Sequence, residues 1–266
     1  MNAIRNVAEA FSRKAFIYDA FGENHPNLTR MRETVYRHAL DFLRPDDHIL
    51  EINAGTGTDA IFFARAGMRV HATDLAPAMV ARIEQKIVQH NLRARLTVEQ
   101  CSFTELDHLR AESFDAIFSN FGGLNCIADL RAATRQFPRV LRAGGIATCV
   151  IMPPFCLWDL AAIVKGDFRT ATRRLRGKTI ANIEGVPVAT FYFSPRQVAD
   201  AFGDSFRVER VQGLSIFAPP ADRKNFAQRF SRAYRLLVAL DERVATRRPF
   251  RAWGDFFIIT LRYGAR

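Results

Sequence analysis

The chain has 266 residues, 48% of them hydrophobic and 24% charged, which suits one folding unit with a sizeable core and excludes a disordered or coiled-coil chain. Its formal net charge of +11 draws anionic partners at long range, yet only five of the 38 basic residues are lysines and no block of five or six like charges occurs. A nucleic-acid partner, whose basic footprint clusters on one face, is therefore not expected.

Cys101, Cys126, Cys149 and Cys156 form no Cys-x-x-Cys pair and have no histidines at zinc-ligand spacing, so neither a disulfide framework nor a metal centre is expected. A reducing, cytoplasmic setting fits that usage. The opening "MNAIRNVAEAFSRKAF" carries charges throughout and lacks the apolar centre of a signal peptide. The longest apolar stretch, Ile146 to Val164, holds Pro153, Pro154 and Asp159, so no transmembrane segment is expected.

In chain order, "AFSRKAFIYDAFGENHPNLTRMRETVYRHALDFL" has helical periodicity on both sides of "GENHPN", predicting two helices before the first strand. "HILEIN" from His48 is a short, β-branched apolar run after Pro45-Asp46-Asp47 and reads as a buried parallel strand. A helix is predicted from Thr58. Between them Gly55 and Gly57 let the backbone bend sharply and approach a ligand, while free N–H groups at the helix start favour polar or anionic ligand groups.

A second strand, "MRVHATD", ends in Asp74, about twenty residues past the glycines, where a dinucleotide-type site needs a carboxylate to grip ribose hydroxyls. Asp74 also stands where a helix cap belongs, ahead of "APAMVARIEQKIVQH", and the two roles are compatible. Strands "RLTVEQ" and "FDAIFSN" follow, then a helix "ADLRAATRQFPRVLRA", then strand "IATCVIM" after Gly144-Gly145. This alternation implies a parallel sheet with helices on both faces and ligands beyond the C-terminal ends of its strands. The site is thus lined by residues 53–58, Asp74, residues 100–103 and residues 120–124.

Later elements are a helical stretch "FCLWDLAAIVKGDFRTATRRLR", a hairpin "KTIANIEGVPVATFYF" turning near Gly185, a strand "FRVERVQGL", a long helix "ADRKNFAQRFSRAYRLLVALDERVATRR" and a last strand "DFFIITLRY". The expected organisation is an N-terminal helical lid (1–44), a cofactor-binding Rossmann-like core (45–152), an inserted helix-and-hairpin cap (153–205), and the last two strands with an inserted long helix (206–266). Loops this long carry structure of their own. Phe155, Trp158, Phe191, Tyr192 and Phe193 are candidates to roof an acceptor pocket, and Arg173 and Arg174 to draw an anionic acceptor or lipid headgroup to its mouth.

These residues resemble the class I S-adenosylmethionine-dependent methyltransferases, in particular their small-molecule branch with its pattern Glu-x-Gly-x-Gly-Thr-Gly. The match is Glu51-Ile52-Asn53-Ala54-Gly55-Thr56-Gly57, and the resemblance runs through Asp74, "FDAIFSNFGGLN" and "FPRVLRAGGIATCVI". It implies an α/β, seven-stranded sheet, S-adenosylmethionine as cofactor, and cofactor contacts from Tyr18, Glu51, Asn53, Ala54, Gly55, Thr56, Gly57, Asp74, Leu75, Cys101, Ser102, Phe103, Asn120 and Phe121. Tyr18 stands in "FSRKAFIYD", which is similar to the segment whose tyrosine closes on the methionyl end in such enzymes.

The sequence departs from the pattern twice. Asn53 replaces the first glycine; asparagine best tolerates a left-handed backbone, and its amide is expected to reach the methionyl part of the cofactor. "QCSF" at 100–103 lacks the acidic residue many relatives use for the adenine amino group, leaving Ser102, the backbone and Phe103 to hold the base. A nicotinamide dehydrogenase shares the glycines, but its third glycine would fall at Ala60 and no Tyr-x-x-x-Lys pair occurs.

The implied reaction is methyl transfer to an oxygen or nitrogen of a small organic acceptor, aromatic or lipid-like. The alternatives are nucleic-acid or protein methylation and a non-catalytic cofactor-binding subunit. An oxygen acceptor benefits from a general base, for which His25 and then Asp159 are the candidates. The chemistry requires no metal.

Overall fold

The computed structural model describes residues 2–22 and 24–264. Two helices, α1 (Asn2–Gly22) and α2 (Pro26–Leu40), precede the first strand; the break between them includes Glu23, which lies outside the described residues. Then come β1 (His48–Ile52), α3 (Thr58–Arg65), β2 (Arg69–Asp74), α4 (Pro77–Gln89), β3 (Leu96–Gln100) and β4 (Phe114–Ser119). Two single helical turns, α5 (Arg131–Thr134) and α6 (Phe137–Val140), lead into β5 (Leu141–Ile151).

A cap segment follows: α7 (Leu157–Leu160), α8 (Phe168–Ala171), the hairpin β6 (Lys178–Ile183) and β7 (Val186–Phe191), and α9 (Pro195–Phe202). The chain closes with β8 (Phe206–Leu214), α10 (Phe226–Arg229), α11 (Ser231–Val244) and β9 (Phe256–Tyr263).

Seven strands form one sheet in the order β3-β2-β1-β4-β5-β9-β8. The first five run parallel, while β9 is antiparallel to both β5 and β8. Strand β1 is central because it is apolar on both faces: Ile49, Leu50 and Ile52 are fully buried, as a parallel strand covered by helices on both sides must be. On one face Met31, Val35, Ala60, Phe63 and Ile83 of α2, α3 and α4 form a core with the sheet; on the other Leu106, Phe137, Val198 and Phe202 do so.

Helix α1 ties the sheet to the hairpin. Ala15 packs on Ala76 and Met79 at the start of α4, and Ala10 packs on Val186 and Val188 of β7. Asn6 Nδ2 donates to the Pro187 carbonyl at 3.1 Å and Arg13 Nη1 to the Glu184 carbonyl at 3.2 Å. Among the described residues no helix is long and apolar enough to cross a membrane.

Three expected helices are broken. Pro138, which has no N–H to give, sits in the first turn of α6, so the helix expected over 128–143 becomes two turns and β5 begins at Leu141. The stretch expected over 155–176 is interrupted by Gly166, whose left-handed backbone (φ +75°) separates a short 3-10 segment from α8. The helix expected over 221–248 reduces to a 3-10 turn, α10 and α11. Conversely, α9 begins with a capping box, Ser194 Oγ accepting from the Gln197 N–H while Gln197 Oε1 accepts from the Ser194 N–H at 2.8 Å.

Candidate functional site

The parallel strands end at the glycine bend, Asp74, residues 100–103 and residues 120–124, as the alternation predicts. The bend is held from both sides. The Gly55 N–H donates to Asp74 Oδ2 at 2.8 Å and the Ala54 N–H to the Thr73 carbonyl at 3.0 Å. Gly57 caps α3 with φ +76°, and a Cβ there would fall 2.9 Å from Ile83 Cγ1, so both backbone angle and space exclude a side chain.

Asp74 has the capping role as well, Oδ1 accepting from the Ala76 N–H at 2.9 Å. Each carboxylate oxygen thus takes one backbone N–H and keeps acceptor capacity for a diol. Burial pushes its carboxyl up to about 6, against the pull of the Ala76, Gly55 and Leu75 N–H groups. Leu75 lies between, its carbonyl accepting from Gln100 Nε2 at 3.2 Å.

Asn53 has the left-handed backbone expected of it, at φ +51°. Its amide faces β4: Oδ1 accepts from Ser119 Oγ at 2.7 Å and Nδ2 donates to the Asn120 carbonyl at 3.2 Å. Thr56 turns toward α1, Oγ1 donating to Asp19 Oδ1 at 2.6 Å while Lys86 Nζ bridges Asp19 (2.8 Å) and the Thr56 carbonyl (2.9 Å). Tyr18, the residue before Asp19 on α1, lies over the bend, its Cζ 3.8 Å from where a Gly55 Cβ would stand.

Glu51 is buried, and its Oε2 has no hydrogen-bond partner among the described residues. Burial and then the neighbouring Asp59 carboxylate push its carboxyl well above the usual range. At the strand β3 end, Cys101 Sγ bonds to the Ser102 and Glu105 carbonyls and Ser102 Oγ pairs with Thr104 Oγ1 at 2.8 Å. Phe103 packs against the core below.

Sequence reading missed the polar network beside α3. Asp59 is buried, accepts from Asn120 Nδ2 at 3.0 Å and from the Tyr36 hydroxyl at 2.5 Å, and pairs with Arg32. Arg32 in turn lies 4.9 Å from the Phe121 ring centroid, and Phe121 meets Phe256 edge-on. The only local sign was an acid in the first turn of α3; its partners come from α2 and β4, distant in sequence.

A cavity of about 1730 Å³ opens against this network and is lined by Tyr18, Met31, Arg32, Phe121, Met152 and Tyr192 among others. Tyr18 touches both the cavity and the bend. Asp74, Leu75 and residues 101–103 do not line it. Of the expected aromatics Tyr192 lines the cavity, its hydroxyl bonding Thr179 Oγ1 at 2.9 Å. Phe155 and Trp158 do not line it: Phe155 packs on Trp253, and Trp158 donates to the Phe217 carbonyl at 3.1 Å and stacks edge-on with Phe226.

Neither expected base lines this cavity. His25 caps α2, Nδ1 accepting from the Leu28 N–H at 3.3 Å, and lines a separate cavity of about 660 Å³ under α11. Asp159 is buried between two arginines, with Arg173 Nε and Arg174 Nε each 2.9 Å from Oδ2. Arg173 and Arg174 do line the main cavity; Arg174 is itself buried and also pairs with Asp255 at 2.6 Å.

Residues 49–145 match the family model described as a methyltransferase domain. Residues 49–145 form a class I S-adenosylmethionine-dependent methyltransferase domain. A malonyl-[acyl-carrier protein] O-methyltransferase of Halorhodospira halophila is 28% identical over 54% of this chain and 49% of its own length. A demethylmenaquinone methyltransferase of Corynebacterium efficiens is 29% identical over 54% of this chain and 58% of its own. The chain therefore spans about half the length of those relatives. In fold it is similar to geranyl diphosphate C-methyltransferase from Streptomyces coelicolor A3(2), solved with S-adenosyl-L-homocysteine, with a TM-score of 0.59 at 14% identity over 90% of this chain and 81% of that one.

S-adenosylmethionine is the cofactor of this methyltransferase family, and the residues fit it. Asp74 has free acceptor capacity for a ribose diol, and the buried, unpartnered Glu51 Oε2 beneath the bend suits a cationic amino group.

Proposed function

We propose that this methyltransferase moves a methyl group from S-adenosylmethionine to an oxygen or nitrogen of a small organic acceptor held in the 1730 Å³ cavity. One observation carries the reading: Tyr18 lies over the Gly55 bend and also lines the cavity, so bend and acceptor space meet at one residue. When bound, the cofactor supplies a methyl group on a sulfonium, which is activated already.

The protein's part is then to align the acceptor and exclude water. Tyr18 closes the bend from above, and the Thr56–Asp19–Lys86 cluster fixes α1 in that position. Arg32 and Asn120 are held by Asp59, which keeps the wall between bend and cavity rigid. The groups nearest this wall hold their protons: burial raises the Tyr18 and Tyr36 phenols above their usual value, and burial followed by the Asp74 charge pushes the Cys126 thiol up to about 11.

An acceptor that brings its own free electron pair at neutral pH, a carboxylate or an amine too weakly basic to be protonated, suits such a wall. The carboxylate case agrees with the malonyl group in the name of the Halorhodospira relative.

Turnover is read as S-adenosylhomocysteine released against fractionated small-molecule extract. Release by the wild type and its loss in a folded Asp74→Ala variant support the reading. Tight S-adenosylhomocysteine binding with no release against any fraction favours a non-catalytic cofactor-binding subunit.

A further inference from the structure

We propose that the cap segment docks on an anionic lipid surface, so that the acceptor enters the cavity from the bilayer. The docking surface stands on its own; that the entering molecule is methylated rests on the function proposed above.

Between residues 163 and 180 five large apolar side chains face water: Ile163 (44% exposed), Val164 (91%), Phe168 (64%), Leu175 (61%) and Ile180 (65%). They lie on two short pieces of the cap, joined where Arg173 and Arg174 reach Asp159 of α7. The 3-10 segment Ala161–Lys165 packs on α7 and α8, and the 3-10 turn Arg174–Arg176 packs on β6. Soluble proteins seldom gather exposed apolar groups this densely unless the patch meets a partner.

The same stretch carries Arg169, Arg173, Arg176 and Lys178 against one exposed acid, Asp167, which caps α8 through the Thr170 N–H at 2.9 Å. Arg173 is paired with Asp159 and Arg169 acts on the neighbouring Asp167, whereas Arg176 and Lys178 make no ion pair among the described residues. Apolar side chains interleaved with unpaired cations are the pattern of an element lying in a bilayer interface, the former reaching the acyl boundary and the latter meeting anionic headgroups.

Patch and cavity are continuous. Arg169, Arg173, Arg176, Lys178 and Ile180 line the cavity that Tyr18 lines, as does the half-exposed Phe21 of α1. An amphiphile entering there passes cations at the mouth and then Met31, Phe62 and Phe121. A freely soluble acceptor gives no reason for Val164, Phe168 and Leu175, which lie outside the cavity, to be apolar and exposed.

The test is co-sedimentation of the full chain with vesicles of phosphatidylcholine alone and of phosphatidylcholine with one quarter phosphatidylglycerol, using wild type, Val164→Asp/Phe168→Asp and Arg169→Glu/Arg176→Glu. S-adenosylhomocysteine calorimetry and thermal unfolding of each variant run in parallel. The expected result is wild-type binding to the anionic vesicles, weakened about tenfold or more by either double substitution, with cofactor affinity and unfolding temperature of Val164→Asp/Phe168→Asp unchanged.

Wild type remaining in the supernatant overturns the proposal. So does vesicle binding that the apolar substitutions leave intact, which is surface adsorption only, and so does capture of an acidic carrier protein through these residues without any vesicle binding. Failure of S-adenosylhomocysteine to bind overturns the cofactor site and leaves the docking result to be judged separately.

Discussion

Asn53 and Gly123 occupy one space: a Cβ built on Gly123 would lie 2.2 Å from Asn53 Cγ. The asparagine that takes the place of a glycine in the bend therefore requires a glycine seventy residues later. Gly123→Ala should destabilise the fold by about 1–3 kcal/mol through overpacking. Asn53→Gly keeps the backbone angle, and although it loses the bonds to Ser119 and Asn120 it opens the space. The double variant should then be more stable than the sum of the two losses, a coupling read from urea unfolding of all four proteins. Additive losses would show that Asn53 and Gly123 do not constrain each other.

Asp74 should make cofactor binding pH-dependent. Diol hydroxyls donate to the ionised carboxylate, and the ligand-free group has been pushed up to about 6, so protonation competes with binding below that value. S-adenosylhomocysteine affinity should be flat above pH 7 and weaken about tenfold per unit below pH 6. Asp74→Ala should weaken it by about 1.5–3 kcal/mol at neutral pH and remove this dependence. Calorimetry of a folded Asp74→Ala with wild-type affinity would reject the assignment.

Tyr18 is predicted to act on binding and not on folding. Its ring covers Gly55 at ordinary contact distance, so Tyr18→Ala should weaken S-adenosylhomocysteine binding several-fold with an unchanged far-ultraviolet spectrum. Gly55→Val places a branched side chain at φ +58° under that ring and should abolish binding. Native affinity in both variants would place the cofactor elsewhere.

His38 should give the fold acid sensitivity. It is buried, with Nδ1 2.9 Å from Gln212 Oε1 and Nε2 2.9 Å from Thr260 Oγ1, and burial lowers its imidazole to about 4. As pH falls from the unfolded value near 6.5, the unfolded chain takes up a proton that the folded one refuses, so up to about 3 kcal/mol is lost by pH 4. Asp74, raised instead of lowered, acts in the opposite direction between its ordinary value and about 6. His38→Gln should be less stable at pH 7 yet lose less on acidification, measured as urea midpoints at pH 7 and 5. An equal loss in both proteins would assign the sensitivity to other groups.

The strands and the bend were legible because their signals are local. β1 and β2 are short apolar runs closed by polar residues, and Gly55, Gly57 and Asp74 state their backbone role in their own chemistry. The helices after β4 were misread because periodicity continues across Pro138 and Gly166, where the backbone does not. Ser194 and Gln197 did carry a capping signal for α9, between the expected hairpin and the expected strand, where no element was assigned. Asp59, Arg32 and Gly123 gained their meaning from partners on other elements, and so did the commitment of Asp159 to two arginines and of His25 to a helix cap.

The fate of the methyl group tests the central claim most directly. S-adenosylmethionine labelled with tritium in its methyl group is incubated with the protein and whole-cell extract, which is then divided into protein, RNA and solvent-extracted small-molecule fractions. The account predicts label in the small-molecule fraction, lost with Asp74→Ala. Label recovered in RNA or protein, or in no fraction despite tight cofactor binding, would contradict it.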